Sequence, residues 1–134
     1  MSGLVLKLSP YERVLVNGAV IENGHRRSKL SIVTPNANIL RLRDAIRPEE
    51  ANTPVRRVCY IAQLVLSGDV GKEASTTQLR QGISQLHMAL QGHVGVEQLH
   101  DANRALEEGD FYKVLKSLRS LLDLEQALMG ERRV

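Results

Sequence analysis

The stretch RPEEANTP, residues 47–54, marks the place where the apolar residues of this chain change their spacing. Before it they alternate with polar residues, which is the period of a β-strand, and after it they recur three or four positions apart, which is the period of an α-helix. The stretch ends in Thr53-Pro54, a helix N-cap followed by proline at the first helical position. The sequence therefore predicts an α+β protein, with a small antiparallel β-unit over residues 1–47 and an α-helical bundle over residues 53–130.

Short strands are expected throughout the first part, over residues 4–8, 12–16, 19–22, 27–33 and 39–43. Two Asn-Gly pairs lie among them, at residues 17–18 and 23–24. Asn and Gly tolerate the positive φ values of a type I′ turn, so both pairs are expected to form tight hairpins and the strands to form a meander. In the last strand, Leu40 and Leu42 are expected to face the core, with Arg41 and Arg43 on the opposite side.

Helices are expected throughout the second part of the chain. They are predicted from Pro54 to near Gly68, over about residues 73–91, over residues 96–108 and, after Asp110 as N-cap, over about residues 111–128. Each carries apolar residues on one side, as expected for helices that pack together around a shared core.

The composition gives no support for an enzyme or a metal site. Among the 134 residues there is one cysteine, Cys59, which lies in an apolar run and is expected to be buried rather than reactive. The four histidines have no metal-ligand spacing, and no nucleophile or phosphate-loop motif is present. We therefore expect no catalytic residue, no metal and no other cofactor. The sequence has no signal-peptide pattern and no apolar run long enough to cross a bilayer, which favours a cytoplasmic protein that does not enter membranes.

Charge is distributed unevenly along the chain. Residues 1–57 contain ten Lys and Arg against five acids, whereas the remainder contains eight against ten. The basic residues of the first part include Arg26, Arg27 and Lys29 after a predicted turn, and Arg41 and Arg43 in a predicted strand. Such a surface is typical of a protein that binds a polyanion. The alternative is a solvated sheet face, on which cations protect an exposed edge from pairing with other strands.

Stretches spread along the whole chain resemble the FlbT family of flagellar regulators from α-proteobacteria. They are LSPYER (8–13) leading into VNGAVI (16–21), ANTPVRR (51–57) and EGDFYKVLK (108–116). The resemblance implies a post-transcriptional regulator that acts on flagellin mRNA through its 5′ untranslated region. It also suggests a FlaF-like flagellar protein as a partner. Repression and activation both remain open.

The first third of the chain also resembles the small RNA-binding protein CsrA, in residues 4–6 and 14–16 and in NANILRLRDAI (36–46). This resemblance implies an intertwined homodimer that recognises GGA in mRNA leaders. By position, the RNA contacts fall on Leu6, Lys7 and Arg43. CsrA has a pair of basic residues after its first strand, where this chain has Leu8 and Ser9. This departure puts the preference for GGA in doubt, but not RNA binding by the sheet.

Together these observations predict that the β-unit binds flagellin mRNA and joins two copies of the chain, while the helical bundle binds a protein partner. The residues expected to contact RNA are Leu6, Lys7, Arg26, Arg27, Lys29, Arg41 and Arg43. Phosphate contacts are expected to supply most of the affinity. The alternative is a protein-interaction module, or a chaperone-like adaptor of the flagellar system, that does not bind RNA itself.

Overall fold

The computed structural model describes residues 4–90 and 95–131. Its strands are β1 (Leu4–Leu8), β2 (Arg13–Val16), β3 (Ala19–Glu22), β4 (Ser28–Ile32) and β5 (Ile39–Arg41). Its helices are α1 (Pro54–Leu66), α2 (Lys72–Ala89), α3 (Val96–Glu107), α4 (Phe111–Arg119) and α5 (Leu122–Glu131), and short 3-10 turns cover Leu42–Asp44 and Pro48–Glu50. Strands precede helices, which confirms the predicted α+β class. The expected end of the second helix at residue 91 lies outside the described residues.

The strands form two small antiparallel sheets, with β1 paired to β4 in one and the order β3-β2-β5 in the other. The first Asn-Gly pair makes the predicted hairpin, since Asn17 and Gly18 both have positive φ between β2 and β3. The second pair, Asn23-Gly24, does not make the predicted hairpin, because β3 and β4 do not pair, and the predicted meander is therefore wrong. Instead Asn23 holds the chain where it crosses between the sheets. Its side-chain amide donates to the Ser9 carbonyl (2.8 Å) and accepts from the Ser28 hydroxyl (2.6 Å).

The strand predicted over residues 39–43 ends at Arg41, and the chain continues as a 3-10 turn. Ile39 and Leu40 are both buried, but in different clusters: Ile39 belongs to a small core between the sheets, and Leu40 belongs to the core of the helices. Leu42 is exposed. The predicted alternation of a core face and a solvated face is therefore wrong. It fails because β5 lies between two cores, so both of its faces are covered.

Both predicted helix caps are confirmed. The Thr53 hydroxyl accepts a hydrogen bond from the Arg56 backbone N–H (3.2 Å), and the Asp110 carboxylate accepts one from that of Lys113 (3.1 Å). These caps satisfy N–H groups that have no partner within the first turn. Each helix therefore begins where the local sequence predicts.

The single helix predicted over about residues 111–128 is two helices, because α4 ends at Arg119 and α5 begins at Leu122. The break allows α5 to meet the start of α1. There the Glu125 carboxylate accepts hydrogen bonds from the Thr53 hydroxyl (2.6 Å) and the Val55 backbone N–H (2.8 Å). A cap supplied from about 70 positions away leaves no local pattern in the sequence, so the break was not predictable from periodicity.

The β-unit and the helices are packed against each other. Gln63 in α1 exchanges two hydrogen bonds with the backbone of Ile46, at 2.8 and 2.9 Å. Tyr112 in α4 packs against the small core between the sheets. These contacts hold α1 and α4 against the β-unit. None of the helices in the described part of the chain is long and apolar enough to cross a bilayer.

Candidate nucleic-acid interface

The outer face of the β1–β4 ribbon carries positive charge. In the register of the two strands Lys7 lies directly opposite Lys29, and both side chains are exposed, whereas Leu6 and Leu30 face inward. Like charges placed directly opposite each other on a sheet destabilise it. A bound anion would remove that cost, and cations on β1 and β4, each of which has a free edge, also protect those edges from pairing with other strands.

Arg26 and Arg27 extend this positive surface from the loop before β4, and both are exposed. Lys7, Arg27 and Lys29 line one shallow depression of about 250 Å³. Among the side chains that the structure describes, no carboxylate lies within 4.0 Å of any of these four residues. We call Lys7, Arg26, Arg27 and Lys29 the cationic ribbon. Their charges are available to phosphates.

Arg41 has a structural role that the sequence did not predict. Its Nε donates to Glu12 Oε2 (2.7 Å), and its Nη2 donates to Glu12 Oε1 (2.8 Å) and to the Lys7 carbonyl (2.6 Å). The two side chains are only 11% and 5% exposed. Arg41 therefore does not lie on a solvated face. It joins β5 to β1, with a bidentate geometry that is among the stronger hydrogen-bonded arrangements in proteins.

The charge states of this pair follow from the same contacts. Hydrogen bonding from Arg41 lowers the pKa of the Glu12 carboxyl from 4.5 to about 2, against the opposing effect of burial. The Glu12 carboxylate in turn raises the pKa of Arg41. Both groups therefore stay charged across the physiological range, and the positive charge of Arg41 is largely neutralised within the protein.

The two other predicted contact residues differ in their access to solvent. Leu6 is only 1% exposed and belongs to the small core between the sheets, so its side chain is not available to a ligand. Arg43 lies in the 3-10 turn after β5, with its side chain 54% exposed and its Nε 3.7 Å from Glu12 Oε2. Because Arg41 already binds both oxygens of Glu12, Arg43 is held less closely and can reach a ligand.

A groove of about 570 Å³ lies beside the ribbon, between β1, β5 and α4. Its charged lining consists of Lys7, Arg41, Arg43, Asp44, Lys116 and Arg119. We call it the α4 groove. The sequence analysis did not select Lys116 and Arg119. Their three-residue spacing, which places both on one side of a helix, was the only signal available, and such pairs are common on solvated helices.

Other chemistry has little support in the described residues. Burial raises the pKa of the Cys59 thiol to about 12, as expected for a packed side chain and not for a nucleophile. Over residues 4–90 and 95–131, no three His, Cys, Asp or Glu side chains come together in a way that would hold a metal ion. The fold and the site thus define a small α+β protein that carries positive charge on the outer face of a β-ribbon and in the groove beside it.

Comparison with known proteins assigns the family. Residues 4–129 match the model of the family described as flagellar protein FlbT, and the chain belongs to that family. It is 31% identical over 96% of its length to the probable flagellum biosynthesis repressor protein FlbT 1 of Bradyrhizobium diazoefficiens, covering 86% of that protein. It is 26% identical over 95% of its length to the flagellum biosynthesis repressor protein FlbT of Caulobacter vibrioides, covering 89% of that protein. No solved structure matches the chain. The likeness of its first third to CsrA stays a prediction.

Proposed function

We propose that this chain represses flagellum biosynthesis after transcription, by binding the 5′ untranslated region of flagellin mRNA through the cationic ribbon. The observation that carries the proposal is the pair of exposed lysines, Lys7 and Lys29, which face each other across β1 and β4. The repressor names of the Caulobacter and Bradyrhizobium relatives favour repression over activation. Family membership supports the flagellar role, and the ribbon supports an RNA as the target.

The chemistry of binding follows from charge and exposure. Lys7, Arg26, Arg27 and Lys29 supply ammonium and guanidinium donors to phosphate oxygens, which gives affinity with little dependence on base sequence. Arg43 is the candidate for reading a base, because a guanidinium can donate two hydrogen bonds to a guanine edge. An mRNA leader held in this way is occluded from the ribosome, which is sufficient for repression.

Binding of a labelled flagellin leader, measured by fluorescence anisotropy across a salt series, tests the proposal. Arg27→Ala and Lys29→Ala should each lower the slope of log K against log salt by about 0.7, the value for one phosphate contact with a single strand. Arg43→Ala should cost about 1–3 kcal/mol for leaders with a guanine at the contacted position. Arg57→Ala is the matched control, because this exposed α1 residue is not part of the ribbon. Unchanged affinity in the triple Arg27/Lys29/Arg43→Ala variant, with normal helicity, contradicts the proposal.

The second candidate function is a protein adaptor, and a different surface favours it. A groove of about 440 Å³ lies between α1 and α2 and is lined by apolar and glutamine side chains, among them Ile61, Gln78 and Gln85, and by Arg57. A FlaF-like flagellar protein is the partner that the family resemblance suggests for it. If Ile61→Asp abolishes repression in cells while the triple Arg27/Lys29/Arg43→Ala variant still represses, the adaptor function replaces RNA binding.

A further inference from the structure

The α4 groove is bounded by strand edges on one side and by a helix on the other. Four consecutive residues of β1 line it, Leu4 to Lys7, and so do all three residues of β5. Consecutive residues of a strand point to opposite faces. Because consecutive residues of β1 and of β5 all line the groove, each strand must turn its edge, and not one face, toward it. This agrees with the sheet topology, in which β1 pairs only with β4 and β5 only with β2.

The groove has an excess of positive charge. Five cationic side chains line it, and Asp44 is the carboxylate among its lining residues. Arg41 is paired with Glu12, and Arg119 is paired with Asp44 at 3.4 Å and also donates to the Asp44 carbonyl at 3.1 Å. Lys116 is exposed, and the described carboxylates all lie more than 4.0 Å from it. Lys7, Lys116 and the loosely held Arg43 thus give the groove its net charge.

The same Lys7 belongs to both cationic surfaces. It lines the shallow depression on the ribbon together with Arg27 and Lys29, and it lines the α4 groove together with Arg43 and Lys116. The two surfaces therefore meet at one side chain. They form a continuous positive path from the outer face of the ribbon to α4.

We propose that a single RNA strand bound to the cationic ribbon continues past Lys7 into the α4 groove, where Lys116 binds a phosphate of its backbone. This inference rests on the proposed RNA binding, and it adds a helical wall to the site. A positively charged groove that follows the backbone is how many proteins hold single strands without sequence preference. Lys116 and Arg119 stand one turn apart on α4, so the helix presents charge along the path and not at one point.

An added β-strand, from a peptide or from a second copy of the chain, is the competing occupant of a groove between two strand edges. Two observations favour RNA over it. The Lys7 carbonyl on the β1 edge already accepts a hydrogen bond from Arg41 Nη2, so the edge is not fully free for pairing. The rim carries three cations, which repel one another in the absence of an anion and are not needed for main-chain pairing.

The test uses fluorescein-labelled oligouridylates of increasing length and the full chain, with affinity measured across a salt series. Lys116→Ala should lower the salt slope by about 0.7 for long oligonucleotides. It should have no effect on the shortest oligonucleotides that still bind, because these are held by the ribbon alone. Lys29→Ala should lower the slope at every length. Lys116→Arg should retain the slope of the unmodified chain, and Arg57→Ala should do the same.

The outcomes separate the two proposals. If Lys29→Ala weakens binding and Lys116→Ala does not at any length, the groove inference is wrong while RNA binding by the ribbon stands. If the unmodified chain binds neither the oligonucleotides nor the flagellin leader, both proposals fall. If Lys116→Glu changes the oligomeric mass in light scattering and leaves the RNA affinity unchanged, the groove holds a second copy, which also overturns the inference.

Discussion

The ion pair between Glu12 and Arg41 is expected to be a main support of the β-unit, and Glu12→Gln tests this. Glutamine keeps the size of the side chain but removes the charge and one of the two acceptor oxygens. Arg41 is then left with an unpaired charge in a site where its side chain is 11% exposed. Breaking such a pair by removing one partner costs about 3–5 kcal/mol in other proteins.

The lowered pKa of Glu12 gives a second value for the free energy of this ion pair. A fall from 4.5 to about 2 corresponds to about 3 kcal/mol of stability, at about 1.4 kcal/mol for each pH unit. Because the folded-state pKa lies below the unfolded value, this contribution is fully present above pH 4.5 and is lost as the pH falls toward 2. The difference in free energy of unfolding between the unmodified chain and Glu12→Gln should therefore be about 3 kcal/mol at neutral pH and should shrink toward zero in acid.

Urea denaturation followed by circular dichroism, at a series of pH values, measures this difference. Glu22→Gln is the matched control, because Glu22 pairs with Arg13 at 2.9 Å but both side chains are largely exposed. Exposed pairs contribute only about 0–1 kcal/mol, so this variant should stay close to the unmodified chain at every pH. The reasoning is refuted if Glu12→Gln lowers the free energy of unfolding no more than Glu22→Gln does. It is also refuted if the loss in Glu12→Gln does not change with pH.

Three further outcomes are expected. Glu125→Gln should lower the free energy of unfolding in urea by about 1 kcal/mol and speed hydrogen exchange in α5, because it weakens the hydrogen bonds from Thr53 and Val55 to residue 125. Unchanged hydrogen exchange contradicts this prediction. Gly82→Ala should destabilise the chain by about 1 kcal/mol, since a Cβ there would lie 2.8 Å from a methyl of Val58, and should become stabilising in a Val58→Ala background. The homodimer expected through the β-unit should give about twice the chain mass of 14.9 kDa in light scattering. Val20→Glu on the exposed edge strand β3 should then convert the dimer to a monomer. If the unmodified chain is already a monomer at high concentration, the dimer prediction is wrong.

Sequence reasoning succeeded where the determining interactions are local. The change of apolar period near residue 50, the Asn17-Gly18 turn and the caps at Thr53 and Asp110 each depend on a few adjacent residues. It failed where a distant partner decides the structure. Asn23 next to Gly24 is a turn signal taken alone, but its side chain is occupied by groups at the end of β1 and the start of β4. The sequence cannot indicate which of these uses an Asn will have.

The same distinction explains which parts of the candidate site were predictable. Exposed cations on a strand, such as Lys7 and Lys29, follow from the alternation of side chains. Arg41 looked equivalent to them, yet the carboxylate that neutralises it belongs to Glu12, 29 positions earlier in the chain and directly before β2. Lys116 looked like an ordinary solvated residue of a helix, yet the packing of α4 against the β-unit places it in a groove that Lys7 also lines. The charge available to a ligand is thus set by the tertiary pairing of carboxylates and not by the number of basic residues in the sequence. Arg41 is therefore expected to matter for stability, and Lys116 for binding.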